Sequence, residues 1–586
     1  MKFNTFAKYL QRLEETTKRL EMTDILTELI SDLDPKETDK AVYLASGYLR
    51  PLFNSVKFNI ADKLMLKILE NIFPEKRQKL DSLYASAGDL GDVVYELKKS
   101  RANGNMSISE VYDKLTDIAI VEGGGSQDTK IQKTSSLLKD LDALSAKYAT
   151  RIILGTIRLG YTELTIIAAL ANLLKDKKLK GDIEAAYNIR PDIGLVTQKI
   201  KEKGMRGLSD IKMEVGVPIL SQKAQRVSGM EEAMERIPNV WAEFKFDGTR
   251  VQLHMDKKKK HKLDDRQKEL FSTKKPDYLI KTFTRNLEET THQYPEIVEA
   301  AKEQIDAESI ILDGEGVGYN RETGSFLPFQ ETIQRKRKYN IAEAAKDVPL
   351  KYFIFDILYL NGKSLIDKNL KERREILNKV IKKGNIMVVD DFIETDEFEK
   401  LEKYFEVARE KGLEGLIAKN PTDSYQAGAR SYSWIKLKIA DDKLLDDSID
   451  CVILGYYHGK GHRSQFGIGG FLVGIYDEKS EEFKTISKIG TGLTENQWIK
   501  LKEAADKLKV KEKPKNLVSD KLFKPDVYVE PKIVVEIGAD EISKSPSHTA
   551  GYALRFPRLL NFRKDRSPTQ ITTLSEIQKM YKNQKK

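Results

Sequence analysis

Lys245 stands between two phenylalanines in "EFKFDGTR", residues 243–250, and is followed by Asp-Gly and an arginine. An ammonium group among apolar neighbours is costly unless it has a partner or a task. Strand alternation removes the difficulty. Trp241, Glu243 and Lys245 fall on one face of a strand, and Ala242, Phe244 and Phe246 on the other. The phenylalanines then anchor a core while Glu243 and Lys245 line a polar pocket. A lysine so placed serves as a nucleophile, a phosphate clamp or an ion-pair partner. The first role needs a lowered pKa, which nearby cations, a metal or desolvation supply.

Further chemistry-bearing residues recur at strand spacing. In "SWIKLK", Trp434, Lys436 and Lys438 share one face. In "SIILDGEG", Asp313 and Glu315 share one face and offer hard oxygen ligands of the kind Mg²⁺ takes. Each segment alone reads as well as an amphipathic strand with a solvated charged face. Their crowding between residues 241 and 438 weakens that bland reading.

The elements that must position these residues follow from periodicity. Residues 1 to about 210 read as helices, as in "TELTIIAALANLLK", with apolar residues three and four apart. "GMRGLSDIKMEVGVPIL" reads as a linker. From about 218 to 440 strands and helices mix, and "WAEFKF", "DG" and "TRVQLHM" predict a hairpin around an Asp-Gly turn. The acidic "ADDKLLDDSID" reads as a second connector. From about 449, strands and turns predict a small β-barrel with a basic tail, "QKMYKNQKK".

Bulk properties narrow the class. The 586 residues suggest three or four domains. Lys+Arg number 100 against 90 Asp+Glu, a net charge of +10 that leans toward a polyanionic partner such as nucleic acid. A Lys/Glu-rich solvated surface is the alternative. The single cysteine, Cys451, excludes a disulfide or a Cys-based zinc site within the chain. His458 and His462 lie in a Gly-rich stretch and read as non-ligands. No apolar run reaches transmembrane length, and the N-terminus does not read as a signal peptide, so a soluble, cytoplasmic protein is expected.

The run Lys245-Phe246-Asp247-Gly248-Thr249-Arg250 resembles the KxDGxR motif of the covalent nucleotidyltransferases: DNA ligases, RNA ligases and mRNA-capping enzymes. "TFTRNLEETTHQYPEI", "ILDGEGVGY", "LPFQETIQRKRKY", "YFIFDILYLNG", "EGLIAK" and "WIKLK" follow in that family's order. Together they look like the adenylation domain of an ATP-dependent DNA ligase of the archaeal and eukaryotic replicative type. "GYLRPLF", "GDLGDVVYEL" and "RIILGTIRLGYTE" resemble its helical DNA-binding domain, and "ILGYYHGKGHRSQFGIGGFLVGIYD" and "RFPRLLNFRKDRSP" its OB-fold. Two departures stand out. The family's Pro-Met-Leu-Ala is replaced by "PILSQKAQ", and a lysine-rich insert, "DKKKKHKLDDRQKEL", follows the presumed hairpin.

The resemblance implies an all-α DNA-binding domain (1–215), an α+β adenylation domain (216–442) and an all-β OB-fold domain (443–586). It implies nick sealing in replication, repair and recombination, with ATP, with Mg²⁺ or Mn²⁺, and with nicked duplex DNA as partner. It casts Lys245 as the nucleophile that takes AMP and Glu243 as a contact to adenine or to the lysine's surroundings. Arg250 and Arg285 would contact ribose and phosphates, and Glu315 the ribose or the metal. Glu414 would hold the metal, Phe355 would stack on adenine, and Arg430, Lys436 and Lys438 would bind phosphate. "RFPRLLNFRKDRSP" would orient the pyrophosphate leaving group in the first step. By simple alternation Glu414 and Lys419 fall on opposite faces, so the segment must bend if both line the site. "LGTIRLGYTE" reads either as a turn that approaches DNA phosphate or as helix packing. A monomer is expected. A sliding clamp is a further partner to consider, yet only "QKTSSLL" approaches a docking motif, and it reads more simply as one helix face.

Other readings fit less well. A capping guanylyltransferase does not call for some two hundred helical residues in front, and an RNA ligase usually lacks the flanking domains. An NAD-dependent ligase normally carries a four-cysteine zinc finger, which one cysteine rules out. A non-enzymatic DNA-binding protein explains the charge but not the aligned Lys, Glu and Arg positions.

Overall fold

The computed structural model describes residues 1–586 apart from 55, 99–103, 228, 261–277, 322–323, 328, 333–334, 336–346, 439–447, 460–465, 491–492 and 585–586. Most of the lysine-rich insert, the end of "LPFQETIQRKRKY", most of "ADDKLLDDSID" and His462 lie outside the described residues. The chain gathers into two compact units, Met1–Leu437 and Lys438–Lys586.

The first unit opens with helices, from Phe3–Glu14 to Ile193–Lys203. The three-and-four spacing decides which faces meet. Phe3, Phe6, Leu10 and Leu13 are all buried and belong to one apolar core shared by these helices.

Two sheets follow. Their strands are β1 (Lys223–Arg226), β2 (Val240–Lys245), β3 (Thr249–Asp256), β4 (Leu279–Thr284), β5 (Ser309–Gly318) and β6 (Leu350–Leu360). After these come β7 (Lys363–Ser364), β8 (Met387–Val389), β9 (Phe392–Thr395), β10 (Gly415–Lys419) and β11 (Arg430–Lys438). One sheet runs β1-β11-β10-β2-β9; the other runs β4-β3-β5-β6-β7, with β8 added to β6.

The predicted hairpin does not form. β2 pairs with β10 and β9, whereas β3 pairs with β4 and β5 in the other sheet. Residues Phe246–Gly248 therefore carry the chain from one sheet to the other. Phe246 is buried and stacks on Phe353 of β6 at 4.1 Å, which draws the crossing toward the second sheet. Gly248 permits the passage: a Cβ there would meet the Gly316 carbonyl oxygen at 2.5 Å and Glu315 Cγ at 2.9 Å. The Asp-Gly pair marks a close backbone approach between sheets.

The segment read as a linker is pinned along its length. Gly216 N–H donates to His254 Nδ1 at 3.1 Å, and Gln252 makes two hydrogen bonds with the Ile219 backbone, at 2.7 and 3.1 Å. Leu220 N–H donates to the Asn188 carbonyl at 2.8 Å, tying the helical region to the sheets within the same unit.

The second unit is built on a curled sheet in which strand Ile449–Tyr457 pairs with Gly470–Asp477 and with Val534–Gly538. Cys451, Tyr456, Phe471 and Trp498 are in its core. The basic tail is largely a helix, Leu574–Asn583, that buries Ile577. Among the described residues, no helix is long and apolar enough to cross a membrane.

Candidate active site

Lys245 closes β2, and its Nζ is ion-paired with Glu414. The backbone brings them together: Gly415 is the register partner of Lys245, and Glu414 N–H donates to the Lys245 carbonyl at 2.9 Å. The bend that strand parity demanded is at Gly415, whose φ of +133° lies in a region glycine tolerates and L side chains avoid. Glu414 thereby leaves the strand's alternation, while Lys419 keeps it and faces Glu243.

Arg250 begins the second wall. Its Nε and Nη2 donate to the two oxygens of buried Asp313 at 3.0 and 2.5 Å, and its Nη1 to the Gln222 carbonyl at 2.8 Å. Tyr425 Oη donates to Asp313 at 2.8 Å. Asp313, read from sequence as a metal-type oxygen beside Glu315, is instead committed to Arg250 and Tyr425. Bidentate pairing of this kind fixes a guanidinium's plane. Glu315 sits opposite Arg250 in the β3–β5 ladder. Burial pushes its carboxyl up to about 8, against the pull of Lys245 and Arg250 and with the push of Asp313 and Glu414. Glu315 and Glu414 thus bring two carboxyl groups to Lys245, and burial disfavours charge on Glu315 unless a cation offsets it. A hard divalent cation would supply that offset, so these residues fit a Mg²⁺-type ion. Among the described residues there is no cluster of three or more His, Cys, Asp or Glu side chains able to hold a metal.

Glu243 is deeper than expected. It is buried between two cations, Arg374 and Lys419, each ion-paired to one of its oxygens. Burial lowers the Lys419 ammonium from its usual range, with Glu243 opposing. The Lys419 Nζ lies 4.7 Å from the centre of the Phe355 ring and 4.3 Å from that of Trp434. Arg250 lies 5.2 Å from the Phe355 ring, which meets Trp434 edge-on at 5.8 Å. Phe355 and Trp434 are therefore an aromatic wall flanked by cations.

Arg285 is exposed after β4. Partial loss of solvent around its side chain and the nearby Arg250 and Arg430 lower its guanidinium, so two further arginines lie within electrostatic reach of Arg285. Arg430 is exposed at the start of β11, and Lys436 is half-buried farther along the same strand. Lys438 ends β11 and opens the second unit. Sequence reasoning missed Arg374 and Tyr425, and treated Lys419 only as a parity problem. Arg374 lies mid-helix in "LKERREILNKV", a segment with no local signal beyond an ordinary charged helix.

Outside this site, "LGTIRLGYTE" joins helix Ala143–Ile153 to Glu163–Leu173, with positive φ at Gly155, Arg158 and Gly160. Leu137 and Leu138 of "QKTSSLL" are buried on helix Ser126–Asp140, so that segment's leucines face the core. In the second unit Arg558 pairs with Asp540 at 2.7 Å, and Arg563 and Arg566 both reach Asp450, at 3.2 and 3.3 Å.

Comparison with known proteins covers the whole chain. The family models described as DNA ligase N terminus, ATP dependent DNA ligase domain and ATP dependent DNA ligase C terminal region match residues 2–171, 274–438 and 464–566. Lys245 precedes the central match. The probable DNA ligase of Dictyoglomus turgidum is 41% identical, covering 100% of this chain and 98% of its own. DNA ligase 2 of Korarchaeum cryptofilum is 35% identical over the same shares. A solved structure named Pmar-Lig_Pre shares the fold, with a TM-score of 0.55 and 16% identity over 95% of this chain and 99% of that one.

Proposed function

The chain belongs to the ATP-dependent DNA ligase family, and from that premise we propose that Lys245 is the amine that takes AMP from ATP. The observation that carries this reading is the ion pair of Lys245 with Glu414 across β2 and β10, with Glu315 of the second sheet, the ladder partner of Arg250, in electrostatic reach of Lys245 and Glu414.

The chemistry runs in three transfers. The deprotonated Lys245 Nζ forms a P–N bond to the α-phosphorus of ATP, and the bond to pyrophosphate breaks. The 5′-phosphate at a nick displaces Lys245 and takes the AMP, the nitrogen regaining a proton as it leaves. The 3′-hydroxyl then attacks the activated phosphate, loses its proton, and AMP departs. Each transfer needs alignment and charge neutralisation more than further covalent help. Arg250, held rigid by Asp313, would offer its fixed positive charge to ribose or phosphate. Arg285, Arg430 and Lys436 supply positive charge along the phosphates, with Lys438 at the end of β11. The Phe355 ring gives the purine a flat apolar face. A divalent cation, Mg²⁺ or Mn²⁺, held by Glu315 and Glu414, would neutralise phosphate oxygens. The helical domain, 1–215, and the OB-fold domain, 443–586, would hold the duplex about the adenylation domain, 216–442, through backbone contacts without base readout.

The test is a sealing reaction on a nicked duplex with ATP and Mg²⁺. One AMP and one pyrophosphate per sealed nick are expected, with little dependence on nick sequence. Transfer of GMP from GTP in place of AMP would turn the reading toward a capping-type enzyme.

A further inference from the structure

The two groups proposed to meet the purine stand on different sheets. Glu243 is on β2, in the sheet with β10, and Phe355 is on β6, in the other. A slot formed between two sheets has the width its walls are held to. Arg374, from helix Leu370–Val380, touches both walls. Its Nη2 is ion-paired with Glu243 Oε1 and donates to the Phe355 carbonyl at 3.3 Å. Its Nη1 donates to the Asp390 carbonyl at 2.6 Å, just past β8 on the second sheet. The guanidinium is also packed 5.9 Å from the Trp241 ring and 5.5 Å from that of Phe392, on the first sheet. It is 3% exposed. Its planar fork can hold these directions at once, which a lysine's single ammonium cannot.

We propose that Arg374 is a positioning residue for nucleobase selection: it holds the Glu243 carboxylate at a fixed distance from the Phe355 wall. A carboxylate oxygen accepts from the 6-amino group of adenine and repels the 6-oxo oxygen of guanine. Lys419 restrains the second oxygen of Glu243 from β10, within the same sheet. Lys419 also packs over the Phe355 ring at 4.7 Å, but of these two cations Arg374 is the one hydrogen-bonded to the backbone of the second sheet, and so ties the walls together. This inference rests on the proposed role of Lys245 and its pocket.

The test uses the full chain and reads lysyl-AMP formation in single turnover. ATP is compared with GTP and with purine riboside triphosphate, which lacks the 6-amino group. Wild type should prefer ATP over the 6-unsubstituted analogue by roughly 10- to 100-fold in kcat/KM, the range for a hydrogen bond to a charged group. Arg374→Lys should raise KM for ATP, leave kcat within a few-fold, and shrink that preference to about three-fold or less. Far-UV circular dichroism verifies folding, and Arg374→Gln takes its place if the lysine variant does not fold. An unchanged preference, or equal losses with all three nucleotides, overturns the proposal. Failure of both variants to fold assigns Arg374 to the scaffold alone and also overturns it. If wild type forms no lysyl-AMP from any of the three, the reading of Lys245 fails instead.

Discussion

Arg250 and Arg374 of the candidate pocket and Arg558 and Arg566 of the C-terminal unit are all ion-paired, yet they are held in opposite ways. Arg250 and Arg374 sit on carboxylates that are 0% and 2% exposed, with further backbone or tyrosine partners. Arg558 and Arg566 are 46% and 45% exposed, on Asp540 and Asp450. A buried pair with saturated partners fixes geometry, and losing one member strands a charge. An exposed pair contributes little and lets go readily. The first arrangement suits a slot that must keep its shape. The second suits side chains that must leave their resting partners to meet a substrate.

The largest effect is expected where that contrast is broken from the buried side. Asp313→Ala leaves Arg250 without its carboxylate and should cost about 3–5 kcal/mol in urea unfolding, together with adenylylation. Asp540→Ala, the matching change in the C-terminal unit, should cost at most about 1 kcal/mol. Equal costs would mean that the two regions are not built differently.

An intermediate effect comes from buried histidines, one in each unit. Burial holds His254 down to about 3, and the half-buried His548 down to about 4. A depressed histidine pKa means the unfolded chain binds the extra proton first. Stability is therefore complete above about pH 6.5 and falls as pH drops toward the folded values. His254 should account for about 2 kcal/mol lost between pH 6.5 and 5. His254→Gln and His548→Gln should each remove a similar share of the loss between pH 6.5 and 5 in thermal unfolding, and only below about pH 4 should His254→Gln remove more. A smaller effect of His254→Gln at that lower pH would contradict its deeper burial.

How much of this was legible in the sequence differs between the same regions. The helical half, the mixed middle and the strand-rich end follow from apolar periodicity, which is local. Lys245, Glu315, Glu414 and Arg250 stand out in the sequence because motif spacing marks them, and the two sheets bring their segments together. The hairpin reading failed because Asp-Gly is a local turn signal, whereas the stacking of Phe246 on Phe353 and the pairing of β3 with β5 are long-range. Glu243 was read as lining the pocket with Lys245, since alternation gives a face but not a depth. Arg374 was invisible for the same reason: its partners lie 131 and 19 residues away.

The smallest effect on stability should come from Arg558→Ala combined with Arg566→Ala, within about 1 kcal/mol, since both guanidiniums are exposed and Asp450 keeps Arg563 as a partner. On activity the double variant should separate two reactions. Pyrophosphate leaves only when lysyl-AMP forms, so that step should slow by roughly 100-fold or more. Sealing of a nick that already carries AMP should stay within a few-fold. Equal losses in both, measured as single-turnover rates, would assign these arginines to DNA backbone alone.

The central claim is that Lys245 carries the nucleotide. Its most direct test is label transfer from α-labelled ATP to the protein with Mg²⁺, for wild type and Lys245→Ala. The wild type should acquire an acid-labile, base-stable label that a nicked duplex then removes as AMP. Lys245→Ala, with unchanged circular dichroism, should acquire none. Label on the alanine variant, or wild-type label mapped by peptide digestion to another lysine such as Lys419, would contradict the account.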